Sequence, residues 1–142
     1  MERIFNVSMR QAREHLFKIL FESDSNSVLP INIIYDYINR DENIIKKEYM
    51  DFIVKYSEEI SANIDEIDKT IDINMRGWDI NRIGVVDRVL LRISTYEILY
   101  DIIPQNISIN EVVELAKIYG EEKSYEFING VLANIIKFKK SN

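Results

Sequence analysis

The residues that could perform chemistry are few in this chain and widely separated. His15 is the only histidine and there is no cysteine, which excludes a Cys–His nucleophile and a thiolate-bound metal. No second histidine stands at the spacing of a helical zinc or di-iron motif. The 24 carboxylates are scattered as on solvated helix surfaces. The sequence therefore predicts no enzyme, no cofactor and no metal site.

An N-terminal helix face offers another kind of chemistry, contact with a partner. Met9, Ala12, Leu16, Ile19 and Leu20 recur at helical spacing and predict a core stripe. A second face, about 130° away at 100° per residue, combines arginines with aromatic rings. It comprises Arg10, Arg13, Glu14, Phe17 and Phe21. Either this face meets another molecule, or Phe17 and Phe21 pack on a neighbouring helix.

Charge is unevenly distributed along the chain. The net charge of −6 argues against a general nucleic-acid binder, since such domains are usually basic. The first 21 residues nevertheless carry +2 and residues 137–142 carry +3, which leaves −11 for the rest. The basic ends could form a positive patch if the fold brings them together, or they could be ordinary solvated ends.

The elements that must position these residues are predicted to be helices, in an all-α fold of one domain. Only 4 glycines and 2 prolines interrupt 142 residues, and 46% of the chain is hydrophobic. Ser8 is a suitable N-cap for a first helix reaching about Glu22, and Pro30 suits the first turn of a second. Apolar residues then recur at helical spacing between Ile44 and Arg76, as one long helix or, as we favour, two with a break near Ser61–Asp65.

Helical signals continue to the C-terminus. Gly77 is predicted as the C′ residue of the preceding helix, and the next helix, about 81–101, is apolar nearly all round, as a central helix would be. Asp87 interrupts one of its apolar stripes, so this carboxylate is either paired with Arg88 or Arg92 or left for a partner. Ser108 and Glu111 read as a capping box. In the last helix, about 124–139, Gly130 suggests a closely approaching helix.

The signals of membrane insertion and of secretion are absent from the sequence. No apolar run approaches the roughly 18–20 residues of a membrane span. The first eight residues lack the apolar stretch of a signal peptide. We therefore expect a cytoplasmic protein.

Several separated motifs resemble the NusB family of bacterial transcription antitermination factors. The most specific lie between residues 78 and 132, in the family's order and on a chain of similar length. They read Trp78-Asp79-x-x-Arg82, then Val86-Asp87-Arg88-x-x-Leu91-Arg92-Ile93-x-x-Tyr96-Glu97, Pro104, Ile109-Asn110-Glu111-x-x-Glu114-Leu115-Ala116-Lys117, and Phe127-x-Asn129-Gly130-Val131-Leu132. The N-terminal pattern is Ser8-x-Arg10-x-Ala12-Arg13-Glu14.

The resemblance implies a fold and a set of partners. Members of this family form two roughly perpendicular three-helix bundles plus an extra helix, about seven helices, which would divide this chain into subdomains of about 1–60 and 61–142. They bind boxA-type single-stranded RNA together with NusE, a ribosomal small-subunit protein. They then join the elongating RNA polymerase complex with other Nus factors, chiefly on ribosomal RNA operons. Some are thought to form homodimers through a surface that also binds RNA.

By position, the resemblance also implies site residues. Arg10, Arg13, Lys123, Ser124 and Phe127 match RNA-binding positions, and Phe21 and Asp87 match positions that meet the ribosomal protein. The family often has a denser arginine cluster than Met9-Arg10-Gln11, and an acidic residue where Lys123 stands. Fewer phosphate contacts would weaken RNA binding. An alternative is therefore a helical protein-interaction module that docks the ribosomal protein and has little RNA affinity of its own.

Overall fold

The computed structural model describes residues 9–40, 42 and 44–141, and every regular element in these ranges is helical. The elements are α1 (Arg10–Ser25), a short 3-10 helix (Pro30–Asn32), α2 (Ile34–Ile38), α3 (Lys47–Ala62), α4 (Ile64–Ile73), α5 (Val85–Leu99), α6 (Gln105–Tyr119) and α7 (Ser124–Ser141). The predicted all-α class with about seven helices is thus confirmed for the described part of the chain. Ser8, the predicted N-cap of α1, lies outside it.

The helices form two compact units, of which the first ends at Asn63 and the second begins at Ile64. In the first unit, α1 packs on α3, and α2 and the 3-10 helix also pack on α3. Leu16, Ile19, Ile53 and Ile60 are fully buried there and supply the apolar contact. The N–H of Ile31 donates to the hydroxyl of Ser61 at 3.0 Å, which fixes the 3-10 helix to the end of α3.

The long periodic segment is two helices, as favoured above. α3 ends at Ala62, α4 begins at Ile64, and Asn63 stands between them. The Asn63 side chain donates to the carbonyl of Glu59 at 2.8 Å and so satisfies one of the last carbonyls of α3.

In the second unit α5 is the central helix, since α4, α6 and α7 all pack on it. Nine of its 15 residues are buried, which confirms the expectation from its apolar circumference. Arg92 makes two hydrogen bonds to Asp68, at 2.8 and 2.9 Å, and thereby joins α5 to α4. The ammonium of Lys139 donates to the carbonyl of Ile98 at 2.7 Å and pairs with Asp101 beyond the end of α5, so it places a cation at the negative end of that helix.

α5 begins four residues later than predicted, because side chains hold residues 79–83 in a turn. The Asp79 carboxylate accepts the N–H of Asn81 at 2.8 Å, and the guanidinium of Arg88 donates to the carbonyls of Ile80 and Ile83, both at 3.0 Å. These bonds satisfy backbone groups that a helix would otherwise pair internally.

Gly77 has a positive φ of 77°, but it lies in the turns after α4 and not directly at its C-terminus, so the predicted C′ role is wrong.

Two other sequence expectations are wrong. Ser108 and Glu111 do not cap a helix, since α6 already begins at Gln105 and both side chains are buried inside it. The Ser108 hydroxyl instead donates to Glu97 at 2.8 Å and lies 2.7 Å from the Ser94 hydroxyl, so these residues form a polar link between α5 and α6. Among the described residues no helix approaches Gly130 closely, because a Cβ atom added there would have no neighbour within 4 Å.

None of the helices in the described ranges is both long and apolar enough to cross a membrane.

Candidate nucleic-acid and partner interface

The two arginines of α1 lie in opposite environments although they are one helical turn apart. Arg10 is exposed, whereas Arg13 is only 1% exposed and its guanidinium carbon lies 5.9 Å from the centroid of the Phe52 ring. A cation over an aromatic face is a favourable contact that also removes the guanidinium from solvent. Arg10 is therefore accessible to an approaching polyanion, while the burial of Arg13 counts against the direct RNA contact expected from the resemblance.

The aromatic pair of α1 divides in the same way. Phe17 is 3% exposed and belongs to the core of the first unit, whereas Phe21 remains 39% exposed. Their ring centroids are 6.0 Å apart, so the buried Phe17 ring packs against the exposed Phe21 ring and restricts its position. The packing interpretation of this face is right for Phe17, and a partner contact through Phe21 stays a prediction that its exposure permits.

Asp87 and Ser124 line one surface pocket of the second unit, with a volume of about 280 Å³. The Ser124 hydroxyl hydrogen-bonds to the Asp87 carboxyl and accepts the N–H of Glu121 at 3.0 Å. The other carboxylate oxygen of Asp87, Oδ1, is buried and has no hydrogen-bond partner among the described residues. Burial raises the pKa of Asp87, against the effect of the Ser124 hydrogen bond.

Of the two sequence alternatives for Asp87, the hydrogen bonds do not support pairing with Arg88 or Arg92, and a role in partner binding stays a prediction. Arg88 bonds backbone carbonyls before α5 and Arg92 bonds Asp68, so neither is shown paired with Asp87. Asp87 is half-buried instead of fully exposed. Because Asp87 stays partly exposed and lines the pocket, its carboxyl group is accessible there to a hydrogen-bond donor of a ligand or partner.

Gly120 makes this pocket possible. A Cβ atom at this position would lie 2.7 Å from the Ala116 carbonyl oxygen and 2.7 Å from the Cβ of Ser124, closer than such atoms approach. Because Gly120 lacks that atom, the chain turns tightly between α6 and α7 and places Ser124 against Asp87. The glycine therefore positions the first residue of α7.

Lys123, Ser124 and Phe127 come together at the start of α7, as their spacing requires. Lys123 is exposed, Ser124 is buried against Asp87, and Phe127 is partly exposed. Phe127 is not isolated, because the indole of Trp78 stands edge-on to it, with centroids 6.1 Å apart and planes at 72°. Trp78 is 59% exposed, and sequence reasoning used it only as a motif residue. The residue type alone could have indicated a functional role for Trp78, because tryptophan combines a large apolar ring with a polar N–H and is enriched at interfaces.

The predicted site residues thus lie in both units. Arg10, Arg13 and Phe21 belong to the first, and Asp87, Lys123, Ser124 and Phe127 belong to the second. Within the second unit the structure brings the lysine, serine, aspartate and aromatic residues to one end of α7. Over the described residues there is no cluster of three or more side chains suited to hold a metal ion.

Comparison with known proteins gives consistent matches over nearly the whole chain. The sequence profile of the NusB family matches residues 10–137. Transcription antitermination protein NusB of Fusobacterium nucleatum subsp. nucleatum is 40% identical over 138 residues, which cover 93% of this chain and 90% of that one. The NusB protein of Listeria monocytogenes serotype 4a is 44% identical over 127 residues, 89% of this chain and 94% of that one.

A solved structure extends the similarity to the fold. The crystal structure of antitermination factors NusB and NusE in complex with double-stranded RNA contains a chain that superimposes with a TM-score of 0.80. The two chains are 28% identical, and the match covers 91% of this chain and 96% of that one.

Proposed function

Because this chain belongs to the NusB family, we propose that it is a transcription antitermination factor that binds boxA-type single-stranded RNA jointly with the ribosomal protein NusE. The proposal of RNA binding rests on the cluster of side chains at the start of α7, Lys123, Ser124 and Phe127, with Asp87 beside them. An exposed lysine, an aromatic ring and a hydroxyl–carboxyl pair lie together there, and these groups suit phosphates, unstacked bases and base edges. Relatives bear the antitermination name, and one was crystallised with NusE and RNA.

The RNA-binding residues that we propose are Arg10, Lys123, Ser124 and Phe127. Arg10 and Lys123 would contact phosphates, and Phe127 would stack on a base. Arg13 packs against Phe52 of α3 and would act by positioning Arg10. For the partner we propose Phe21 and Asp87, one an exposed aromatic anchor and the other a partly exposed carboxylate in the surface pocket.

We further propose that the complex with RNA and NusE joins elongating RNA polymerase in the cytoplasm, with the other Nus factors. The chain's role there is to bind and present, and we assign it no catalytic step. A homodimer that uses the RNA-binding surface would compete with RNA. It would therefore dissociate when boxA-type RNA is added, which sedimentation velocity measures directly.

The deciding experiment is a mobility-shift titration of a boxA-type RNA, with and without NusE, at two salt concentrations. We expect salt-sensitive binding that NusE tightens, because phosphate contacts release counterions. A scrambled RNA of equal length is the control for sequence-independent attraction. Equal affinity for both RNAs, or no binding with NusE present, would contradict the proposal.

The burial of Arg13 favours a second candidate, a protein-interaction module that docks NusE and binds little RNA by itself. With Arg13 withdrawn, α1 offers the single arginine Arg10 to a phosphate over its described length. Pull-down of NusE with and without ribonuclease separates the two candidates. Equal recovery after ribonuclease, combined with no binding of RNA in the titration, would favour the docking module.

A further inference from the structure

The segment after α4 runs alongside one face of α7. The side chain of Asn134 donates to the carbonyl of Asn74 at 3.3 Å, and the Trp78 ring meets the Phe127 ring at 6.1 Å. Phe127, Asn134 and Ser141 are seven residues apart in turn and therefore share that face of α7. From Phe127 to Ser141 the face extends about 21 Å at 1.5 Å per residue.

A second surface pocket lies at the C-terminal end of this face, with a volume of about 340 Å³. Its lining combines two cations, two amides, a hydroxyl and two apolar side chains. These residues are Ile73, Asn74, Arg76, Asn134, Lys137, Phe138 and Ser141. Both charged residues in that lining are positive, on a chain whose net charge is −6.

Two acidic residues of the same segment, Asp72 and Asp79, keep their negative charge but are turned to backbone N–H groups. The Asp72 carboxylate accepts the N–H of Ile80 at 3.0 Å, and that of Asp79 accepts the N–H of Asn81 at 2.8 Å. The ammonium of Lys139 hydrogen-bonds to the Ile98 carbonyl and pairs with Asp101, so its positive charge does not contribute to the pocket. Within the lining itself, the positive charge comes from Arg76 and Lys137, both of which are exposed.

Apolar surface continues from the pocket to the start of α7. Ile73 is 56% exposed and Trp78 is 59% exposed, and the edge-on Phe127 follows. A single exposed apolar residue is ordinary, but here Ile73 lines the same pocket as the two cations, and Trp78 follows Arg76 by two residues and contacts Phe127. Aromatic faces and cations in alternation are what a single-stranded nucleic acid requires, since bases stack on the rings and phosphates meet the charges.

We infer that the RNA-binding surface does not end at Phe127 but continues across Trp78 to a phosphate subsite formed by Arg76 and Lys137. The strand would follow the face of α7 towards its C-terminus, with a base on Trp78 and a phosphate in the pocket. This inference rests on the proposed function, because it extends the same RNA beyond the residues at the start of α7. Trp78, Arg76 and Lys137 are its new contact residues.

The test compares a minimal boxA-type RNA with the same RNA extended by an oligouridine tract at one end or the other, in the presence of NusE. One of the two extensions is expected to strengthen binding to the unaltered chain. Trp78→Ala should abolish the roughly tenfold gain that this extension brings, measured as the ratio of the affinities for the extended and the minimal RNA, because Trp78 also contacts Phe127 and its loss can lower both affinities. Trp78→Phe should keep most of the gain, because it retains an aromatic face.

The charge contribution is tested by salt dependence. Arg76→Ala and Lys137→Ala should each reduce the slope of log affinity against log salt by about 0.7 for the extended RNA only. Lys55→Ala, which removes an equal charge from the exposed side of α3, is the matched control and should change neither RNA. Circular dichroism melts of every variant exclude unfolding as the cause of a loss.

The outcomes separate this inference from the proposed function. Binding of the minimal RNA with no gain from either extension, or a gain that survives Trp78→Ala and Arg76→Ala, overturns the inference alone. Failure of the unaltered chain to bind any of the RNAs overturns both. If Trp78→Ala instead abolishes self-association and leaves the gain intact, the surface belongs to a second copy of the chain and the inference is wrong.

Discussion

The guanidinium of Arg13 lies over the ring of Phe52, 5.9 Å from its centroid, and joins α1 to α3 inside the first unit. One helical turn earlier, Arg10 is exposed. These two arginines are equivalent in the sequence motif but not in the structure. Their contrasting environments provide a direct test of which arginine binds RNA.

Arg10→Ala and Arg13→Ala should affect different properties. Arg13→Ala leaves a cavity and removes the contact with Phe52, so we expect the free energy of unfolding to fall by about 2 kcal/mol or more. Arg10→Ala should change it by less than about 0.5 kcal/mol but reduce the salt slope of RNA binding by about 0.7. Urea denaturation and mobility shifts measure the two effects. A stable Arg13→Ala variant with normal unfolding and lost RNA binding would restore Arg13 as a direct contact.

Asp87→Asn should stabilise the fold while weakening NusE binding. Burial raises the folded-state pKa of Asp87 above 3.8, so the folded chain binds this proton more tightly than the unfolded chain. The stability that protonation provides is present in acid and is lost as the pH rises from 3.8 through the folded-state pKa. The advantage of the variant, up to about 1 kcal/mol at neutral pH, should therefore shrink on acidification.

Denaturation of the Asp87→Asn variant and the unaltered chain at a series of pH values gives the stability change, and calorimetric titration gives NusE affinity. Unchanged NusE affinity would remove Asp87 from the proposed partner site. A loss of stability at neutral pH would mean that the carboxylate is better satisfied than its buried Oδ1 indicates.

Phe21→Ala should weaken NusE binding without unfolding the first unit. Phe21 is 39% exposed and Phe17 supports it, as expected for an aromatic interface anchor, so we expect a loss of about 2 kcal/mol in binding. Tyr35→Ala is the matched control, because Tyr35 is an aromatic of the same unit, 54% exposed, with no proposed role. Equal effects of both variants on calorimetric NusE affinity would count against a specific anchor.

The two glycines flanking the start of α7 should respond in opposite directions to alanine. Gly130→Ala places a methyl in open space within a helix and should raise the free energy of unfolding by about 0.5–1 kcal/mol. Gly120→Ala places it 2.7 Å from the Ala116 carbonyl oxygen and should be destabilising, with displacement of Ser124 from Asp87. Thermal melts compare the two. A destabilised Gly130→Ala would indicate a close neighbour at that helix face.

His15 should make the chain less stable in mild acid. Its Nδ1 lies 2.7 Å from the Tyr37 hydroxyl, and burial, with a smaller effect of Lys18, lowers its pKa below 6.5. A lowered pKa means that stability is present above 6.5 and is lost as the pH falls through the folded-state value. Because it is the only histidine, one imidazole resonance in a proton NMR titration reports this pKa directly.

The control for this effect is His15→Phe, which keeps an aromatic ring beside Tyr37 and removes the titration. Its unfolding free energy should vary less with pH between about 7.5 and 5.5. The lowered pKa of Glu22, caused by its hydrogen bond from Arg40, acts below 4.5 and so lies outside that window. A measured His15 pKa above 6.5 would contradict the expectation.

The sequence by itself determined the helices and the family. Apolar spacing that repeats every three or four residues requires a helix with one buried face, and the near-continuous apolar circumference of α5 placed it at the centre of its unit. A break near Asn63 was also foreseeable, because a single helix from Ile44 to Arg76 would be unusually long for a small domain.

Only the tertiary structure decided which side chain of a motif faces inward. Periodicity put Arg10, Arg13, Phe17 and Phe21 on one face, but the position of α3 determines that Arg13 and Phe17 are buried and the other two exposed. Ser108 resembled a cap in sequence, yet it bonds to Glu97 on another helix. Exposure and hydrogen bonding depend on neighbours that are distant in sequence, and local spacing carries no information about them.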